Sequence, residues 1–305
     1  MKKIVGFFVA LMCTISLHAK GDLHLFEIDN KSGAITPEVI EKAFTNNGFS
    51  LGINSEMNYP FQKQFNQTDY KVFNLLTLYH TKLATALVNK YPQAGVFTPM
   101  GVGIYQAKNE DTIHISLLTS EAHAKILGLQ DPILKQIEAD FLQAIKKSFP
   151  NAVHTNTQTP LEETRALVTQ YELEIDPSDW EGAKEDFEMT LESGFEPFGF
   201  VMPSYMDFND KITHNEEESV YDFYVNYSIC KLEVIYTVAK TRPEAAAFAP
   251  CTTMVYKKKD EDKIVVGFPA VYNWMSSALV EDKEATAVLL KAQKDFESIL
   301  KSITE

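Results

Sequence analysis

The feature that most narrows what this chain can fold into is that it repeats itself. Shifted by 151 residues, positions 70–115 fall on 221–266 with ten identities in 46 ungapped positions, where typical residue frequencies give about three. Tyr70 meets Tyr221, Pro92 meets Pro243, Phe97 meets Phe248, Pro99 meets Pro250 and Tyr105 meets Tyr256. The acidic pair Glu110-Asp111 meets Glu261-Asp262. Helix punctuation repeats as well. A helical stretch opens after Thr36-Pro37 and closes at Gly48-Phe49; its counterpart opens after Asp176-Pro177 and closes at Gly194-Phe195. Proline at a helix start and glycine past its end are the expected signals. Asp140-Phe141 matches Asp295-Phe296 after a four-residue slip. A period this long means a duplicated domain, since solenoid units run about 20–50 residues.

Each unit reads in the order β-α-β-β-α-β-β-α. The strands fall at 24–28 or 167–175, near 50–57, at 70–78 or 221–229, at 96–106 and at 112–118. A short apolar helix falls at 82–90 or 232–240. In the second unit Trp180, Ala183, Phe187 and Leu191 share one helical face, and Ala285, Leu289, Ala292, Phe296 and Leu300 form another stripe. The expected class is α+β: two similar domains, each an antiparallel-rich sheet with helices packed on it. The first spans 20–149 and the second 166–305, joined by a polar linker at 150–165.

The first nineteen residues form a unit of their own. Lys2 and Lys3 precede an apolar run at 4–15, and Ser16-Leu17-His18-Ala19 follows. Charged start, short apolar stretch and small residue are the parts of a secretory signal, with cleavage expected after Ala19. The run is short of the roughly 20 apolar residues that span a bilayer. A lipoprotein reading would need Cys13, but Met12 before it is a poor match. The expected location is outside the cytosol, in the periplasm, with no membrane span in the mature chain. Net charge is −14 and becomes −16 once Lys2 and Lys3 are removed. That argues against a nucleic-acid partner and against anionic membrane surfaces.

The strand YKVFNLLTL, the segment HTKLATALVNKYPQAGVFTPMGVGIYQ and their counterpart YSICKLEVIYTVAKTRPEAAAFAPCTTMVYK resemble the bacterial domain of unknown function 302, present here in two tandem copies. The likeness covers residues 23–149 and 166–303. It makes Pro92, Pro243, Pro99 and Pro250 the family's prolines and Cys251 its cysteine; Met100 departs from that pattern in the first copy. The resemblance implies a small α+β fold and no established activity.

No catalytic, cofactor or metal-binding motif stands out, so whether the chain is an enzyme stays open, with the weight toward not. Cys230 and Cys251 are the only cysteines after the leader. Were their strands parallel neighbours, the two would end at similar height. They are candidates for a disulfide or a thiol pair, with two buried free thiols as the plainer alternative. His24, His80, His114, His123, His154 and His214 are scattered. Histidine and methionine could take periplasmic copper, but nothing converges in sequence. Ser120-Glu121-Ala122-His123 reads as a helix cap, Gly101-Val102-Gly103 as part of a strand, and Glu216-Glu217-Glu218 with Asp207 and Asp210 as a solvated run. Tyr221, Phe223, Tyr224 and Tyr227 form an aromatic strand that could line an apolar pocket. Alternation puts Tyr221 and Phe223 on one face and Tyr224 on the other.

Three functions follow. The first is a small-ligand-binding or accessory protein of the cell envelope, its two domains packed as a pseudo-dimer. The second is a thiol-redox or metal-linked enzyme using Cys230 and Cys251. The third is a structural assembly partner.

Overall fold

The computed structural model describes residues 21–215 and 218–304. The expected signal segment, Glu216 and Glu217 lie outside the described residues. The first half runs β1 (Leu23–Asp29), α1 (Pro37–Thr45), β2 (Phe49–Glu56), α2 (Asn58–Phe65), β3 (Tyr70–His80) and α3 (Leu83–Lys90). A 3-10 segment, Pro92–Phe97, leads into β4 (Met100–Ala107), β5 (Thr112–Leu118), α4 (Ser120–Leu127), α5 (Pro132–Ser148) and β6 (Val153–Asn156). The second half runs β7 (Val168–Glu174), α6 (Trp180–Phe195), β8 (Val201–Asp207), α7 (Phe208–His214), β9 (Tyr221–Cys230) and α8 (Leu232–Ala239). A second 3-10 segment, Pro243–Phe248, precedes β10 (Cys251–Lys258), β11 (Lys263–Pro269), α9 (Tyr272–Ser277) and α10 (Lys283–Thr304).

Two antiparallel sheets result, with helices packed on them, so the fold is α+β. The strand orders are β2-β3-β4-β5-β1-β6 and β8-β9-β10-β11-β7. Apart from β6 the two orders are the same. The helix starts form for local reasons. Thr36, Thr119 and Asp131 each cap a helix by accepting from a backbone N–H two or three residues on, and Pro37 and Pro132 follow two of them. Gly128, with φ +64°, ends α4 in the left-handed conformation that glycine adopts without penalty.

The structure departs from the sequence expectation at several elements: Gly194, expected just past a helix end, lies inside α6, and Val96 and Phe97, expected in a strand, belong to the first 3-10 segment. Helices α2 and α7 occupy stretches whose periodicity was too short to read. The stretch expected as linker contributes β6, which pairs with β1 from His24 opposite Asn156 to Glu27 opposite Val153. Strands β9 and β10 are antiparallel, not parallel, with Cys251 opposite Ile229. The connecting helix and 3-10 segment return the chain to the same end of the sheet, so the end of one strand meets the start of the next.

The halves meet through reciprocal contacts. The Tyr70 hydroxyl donates to the Ala239 carbonyl, and the Tyr221 hydroxyl donates to the Val88 carbonyl at 2.6 Å. The two tyrosines are 151 residues apart, and so are the two acceptors. Likewise Pro92–Phe97 packs on β10 and β11 while Pro243–Phe248 packs on β4 and β5; α2 meets α8 and α7 meets α3. Such i-to-j and j-to-i pairing is the signature of a two-fold interface. Glycine makes the approach feasible: a Cβ on Gly95 would lie 1.7 Å from the Tyr224 hydroxyl, and one on Gly101 would lie 2.4 Å from the Ala247 carbonyl oxygen.

Candidate functional site

The cysteines sit where β9 ends and β10 begins. They line a cavity of about 50 Å³ roofed by α8, α9 and α10, with Val234, Phe268, Trp274 and Phe296 among its apolar walls. A single water needs roughly 10–15 Å³, so the space takes a few water-sized groups and no whole drug-sized molecule. Both thiols are free. Burial pushes each of them up to about 12, and the neighbouring Cys251 adds to the shift of Cys230. Lys231, the adjoining cation, is committed to Asp295 at 3.0 Å and offers the thiols no activation.

The cysteine positions differ between the halves. Register places Tyr79 opposite Ser50 where the second half has Cys230 opposite Val201. Likewise Met100 stands opposite Leu78 where Cys251 stands opposite Ile229. The first half therefore carries a tyrosine and a methionine, both buried, at the positions the cysteines hold in the second. The Tyr79 ring turns instead to Phe208 of α7 at 5.8 Å, which leaves Met100 as the larger residue standing where Cys251 does.

The aromatic strand is not part of this cavity. Its expected face division is also corrected. Lys257 pairs with Phe223 and Lys258 with Tyr221, so Asp222 is an extra residue in β9. That bulge turns Tyr221 onto the same face as Tyr224, and the two rings meet edge to face at 4.8 Å. Tyr224 donates to the Pro92 carbonyl at 2.6 Å, so both hydroxyls serve the interface between halves. On the opposite face Phe223 stacks on Trp180 at 5.9 Å and Tyr227 donates to Glu188 at 2.8 Å. All four rings are core or interface; none lines the cysteine cavity.

Two of the scattered histidines meet, while His80, His114 and His214 pair elsewhere with Asp140, Glu110 and Asp210. His24 on β1 directs Nε2 at Glu138 Oε1 of α5 (2.8 Å) and Nδ1 at His154 Nε2 of β6 (2.9 Å). Ser120 supports the carboxylate twice, donating its backbone N–H to Oε1 and its hydroxyl to Oε2 at 2.7 Å. Burial by itself would raise the Glu138 carboxyl, but the bonds from His24 and Ser120 together overcome it and hold the group at about 2. Thr119 is the α4 cap, one residue before the expected Ser120. His123 lies beneath, buried against Phe97, with no hydrogen-bond partner at Nε2. Burial lowers it to about 4. His80 pairs with Asp140 at 3.2 Å, where the second half has Lys231 with Asp295. Asp207 caps α7 through the Asp210 N–H. Among the described residues, no group of three or more His, Cys, Asp or Glu is placed to hold a metal ion. No helix among them is long and apolar enough to cross a membrane.

Residues 181–303 match the profile of DUF302, a domain of unknown function. A crystal structure described as an uncharacterized conserved protein DUF302 from Bacillus stearothermophilus aligns with 46% of this chain and 100% of its own. Its identity is 13% and the TM-score 0.38. No curated protein matches. The DUF302 match begins inside α6 and ends inside α10, so it contains the whole cysteine cavity. The His24, Glu138 and His154 cluster lies outside it.

Proposed function

We propose that this chain is a non-enzymatic protein of the cell envelope, built as a pseudo-dimer of two related domains, whose second domain takes the apolar end of a small ligand. The observation that carries this reading is the cysteine-lined cavity of the DUF302 region, walled by Val234, Phe268, Trp274 and Phe296. A thiol at pH 7 with a pKa of about 12 is ionised in only about one molecule in 10⁵, which is poor equipment for thiol exchange. Protonated thiols behave instead as small apolar wall groups, which favours binding over redox chemistry. The reciprocal interface supports the pseudo-dimer, and the leader sequence supports export.

The test uses Trp274, which lines the cavity. With Trp180→Phe removing the other indole, straight-chain alcohols of four to ten carbons are titrated while Trp274 emission is followed. A saturable change that disappears in Cys251→Met, which restores the residue of the first half, is the expected result. An emission change that never saturates, or that persists in Cys251→Met, would overturn the proposal.

A further inference from the structure

The edge of the second sheet lacks the strand that covers its counterpart. In the first half β1 pairs with β5 on one side and with β6 on the other. In the second half β7 pairs with β11, and no strand among the described residues meets its other side. The two strands match: Thr169 faces Phe268 as His24 faces Leu117, and those partners fall together under the 151-residue shift. The ends of β7 give its backbone direction. The Ala270 N–H donates to the Leu167 carbonyl at 2.9 Å and the Ile175 N–H to the Asp262 carbonyl at 3.0 Å, so the odd-numbered residues bond β11. Residues between them point the other way in an antiparallel ladder. Val168, Gln170, Glu172 and Glu174 therefore direct their N–H and C=O groups outward. On β1 the counterparts of Gln170 and Glu172 are engaged: Leu25 lies opposite Thr155 and Glu27 opposite Val153.

From this difference we infer that the outer edge of β7 docks an extended, positively charged segment of a partner protein, added antiparallel as β6 is added to β1. Strand addition to an open edge draws affinity from main-chain bonds and selectivity from alternate side chains. Charge names the occupant. Gln170, Glu172 and Glu174 are exposed and stand on one face of the strand. Lys263 answers Glu172 at 2.9 Å, but among the described residues no ion pair answers Glu174. At the end of β7 a groove of about 590 Å³ continues between α6 and α10, where Glu174, Asp179, Glu185 and Asp186 surround Leu173 and Ile303. Lysine or arginine at every second position of an incoming strand stands opposite Gln170, Glu172 and Glu174, and opposite charges across a strand pair are stabilising.

A second copy of this chain fits less well. Pairing β7 with itself sets Glu172 and Glu174 of both chains on one face, where like charges oppose each other. Charged side chains on an open edge deter self-pairing. Here they leave the edge available to a strand of the other sign.

The mature chain is titrated into a fluorescein-labelled Lys-Val-Lys-Val-Lys-Val-Lys peptide and followed by fluorescence anisotropy, with amide hydrogen exchange read by nuclear magnetic resonance. Saturable binding is expected, with exchange at the Gln170, Glu172 and Glu174 amides slowed at least tenfold. The same peptide N-methylated at its lysine backbone amides keeps its charge, loses its donors to the edge, and should bind at least tenfold more weakly. Gln170→Pro deletes an outward N–H without touching a bond to β11 and should weaken binding to a similar degree. Absence of saturable binding, equal binding of the N-methylated peptide, or unchanged exchange at those three amides would reduce the attraction to net charge and overturn the site. A dimer of the free chain that Gln170→Pro dissolves would give the edge to a second copy and overturn the choice of occupant.

Discussion

Replacing Asp222 by alanine removes the carboxylate paired with a buried lysine. Lys257 has 3% of its side chain exposed, and its Nζ lies 2.6 Å from Asp222 Oδ2 and 3.0 Å from the Lys258 carbonyl. Breaking a buried pair by deleting one partner costs about 3–5 kcal/mol, because the other charge stays behind in a poor solvent. Asp222 is itself 21% exposed, so water reaches its side of the pair, and the Lys258 carbonyl remains. We therefore expect the lower end, about 3 kcal/mol. At roughly 2.1 cal/mol/K of unfolding entropy per residue, about 285 residues melting together lose about 5 °C of Tm. Calorimetry of Asp222→Ala measures this directly. The cause is isolated by repeating the substitution in a Lys257→Met background, where no buried ammonium is stranded and the added cost should fall below about 1 kcal/mol. Should Asp222→Ala cost as much in that background as it does with Lys257 present, so that the two single effects simply add, then the pair is not what stabilises the bulge and the reasoning fails.

Two further outcomes are expected. Tyr70→Phe and Tyr221→Phe each strand a carbonyl of the other half and should cost about 1–2 kcal/mol apiece in urea denaturation, the two agreeing within error because the contacts are reciprocal; a large inequality would contradict the two-fold arrangement. Acid should destabilise the chain in two windows: His123 is held at about 4 against an ordinary 6.5, so stability present above pH 6.5 is lost as pH falls to 4, and Glu138, held at about 2 against 4.5, extends the loss from 4.5 downward. His123→Phe should flatten the upper window by about 3 kcal/mol, read from denaturation midpoints between pH 7 and pH 4.

Much of the fold was legible because it rests on short-range signals. Thr36-Pro37 and Asp176-Pro177 mark starts through bonds made within a few residues. The apolar stripes of α6 and α10 reflect a single buried face. Tyr70 and Tyr221, which the 151-residue shift aligns, each donate to a carbonyl of the other half. The placement of Tyr221 was not legible. Alternation assumes an unbroken ladder, and the bulge at Asp222 exists only because β10 supplies Lys257 and Lys258 as partners.

The sequence by itself determined the α+β class and the order of the main elements, since periodicity and capping act locally along the chain. Tertiary structure alone decided the rest. It set β9 antiparallel to β10, left a cavity beside Cys230 and Cys251, and brought His24, Glu138 and His154 together from 114 and 130 residues apart. Contacts across such separations depend on how sheets and helices stack, and stacking leaves no periodic trace in the order of the residues.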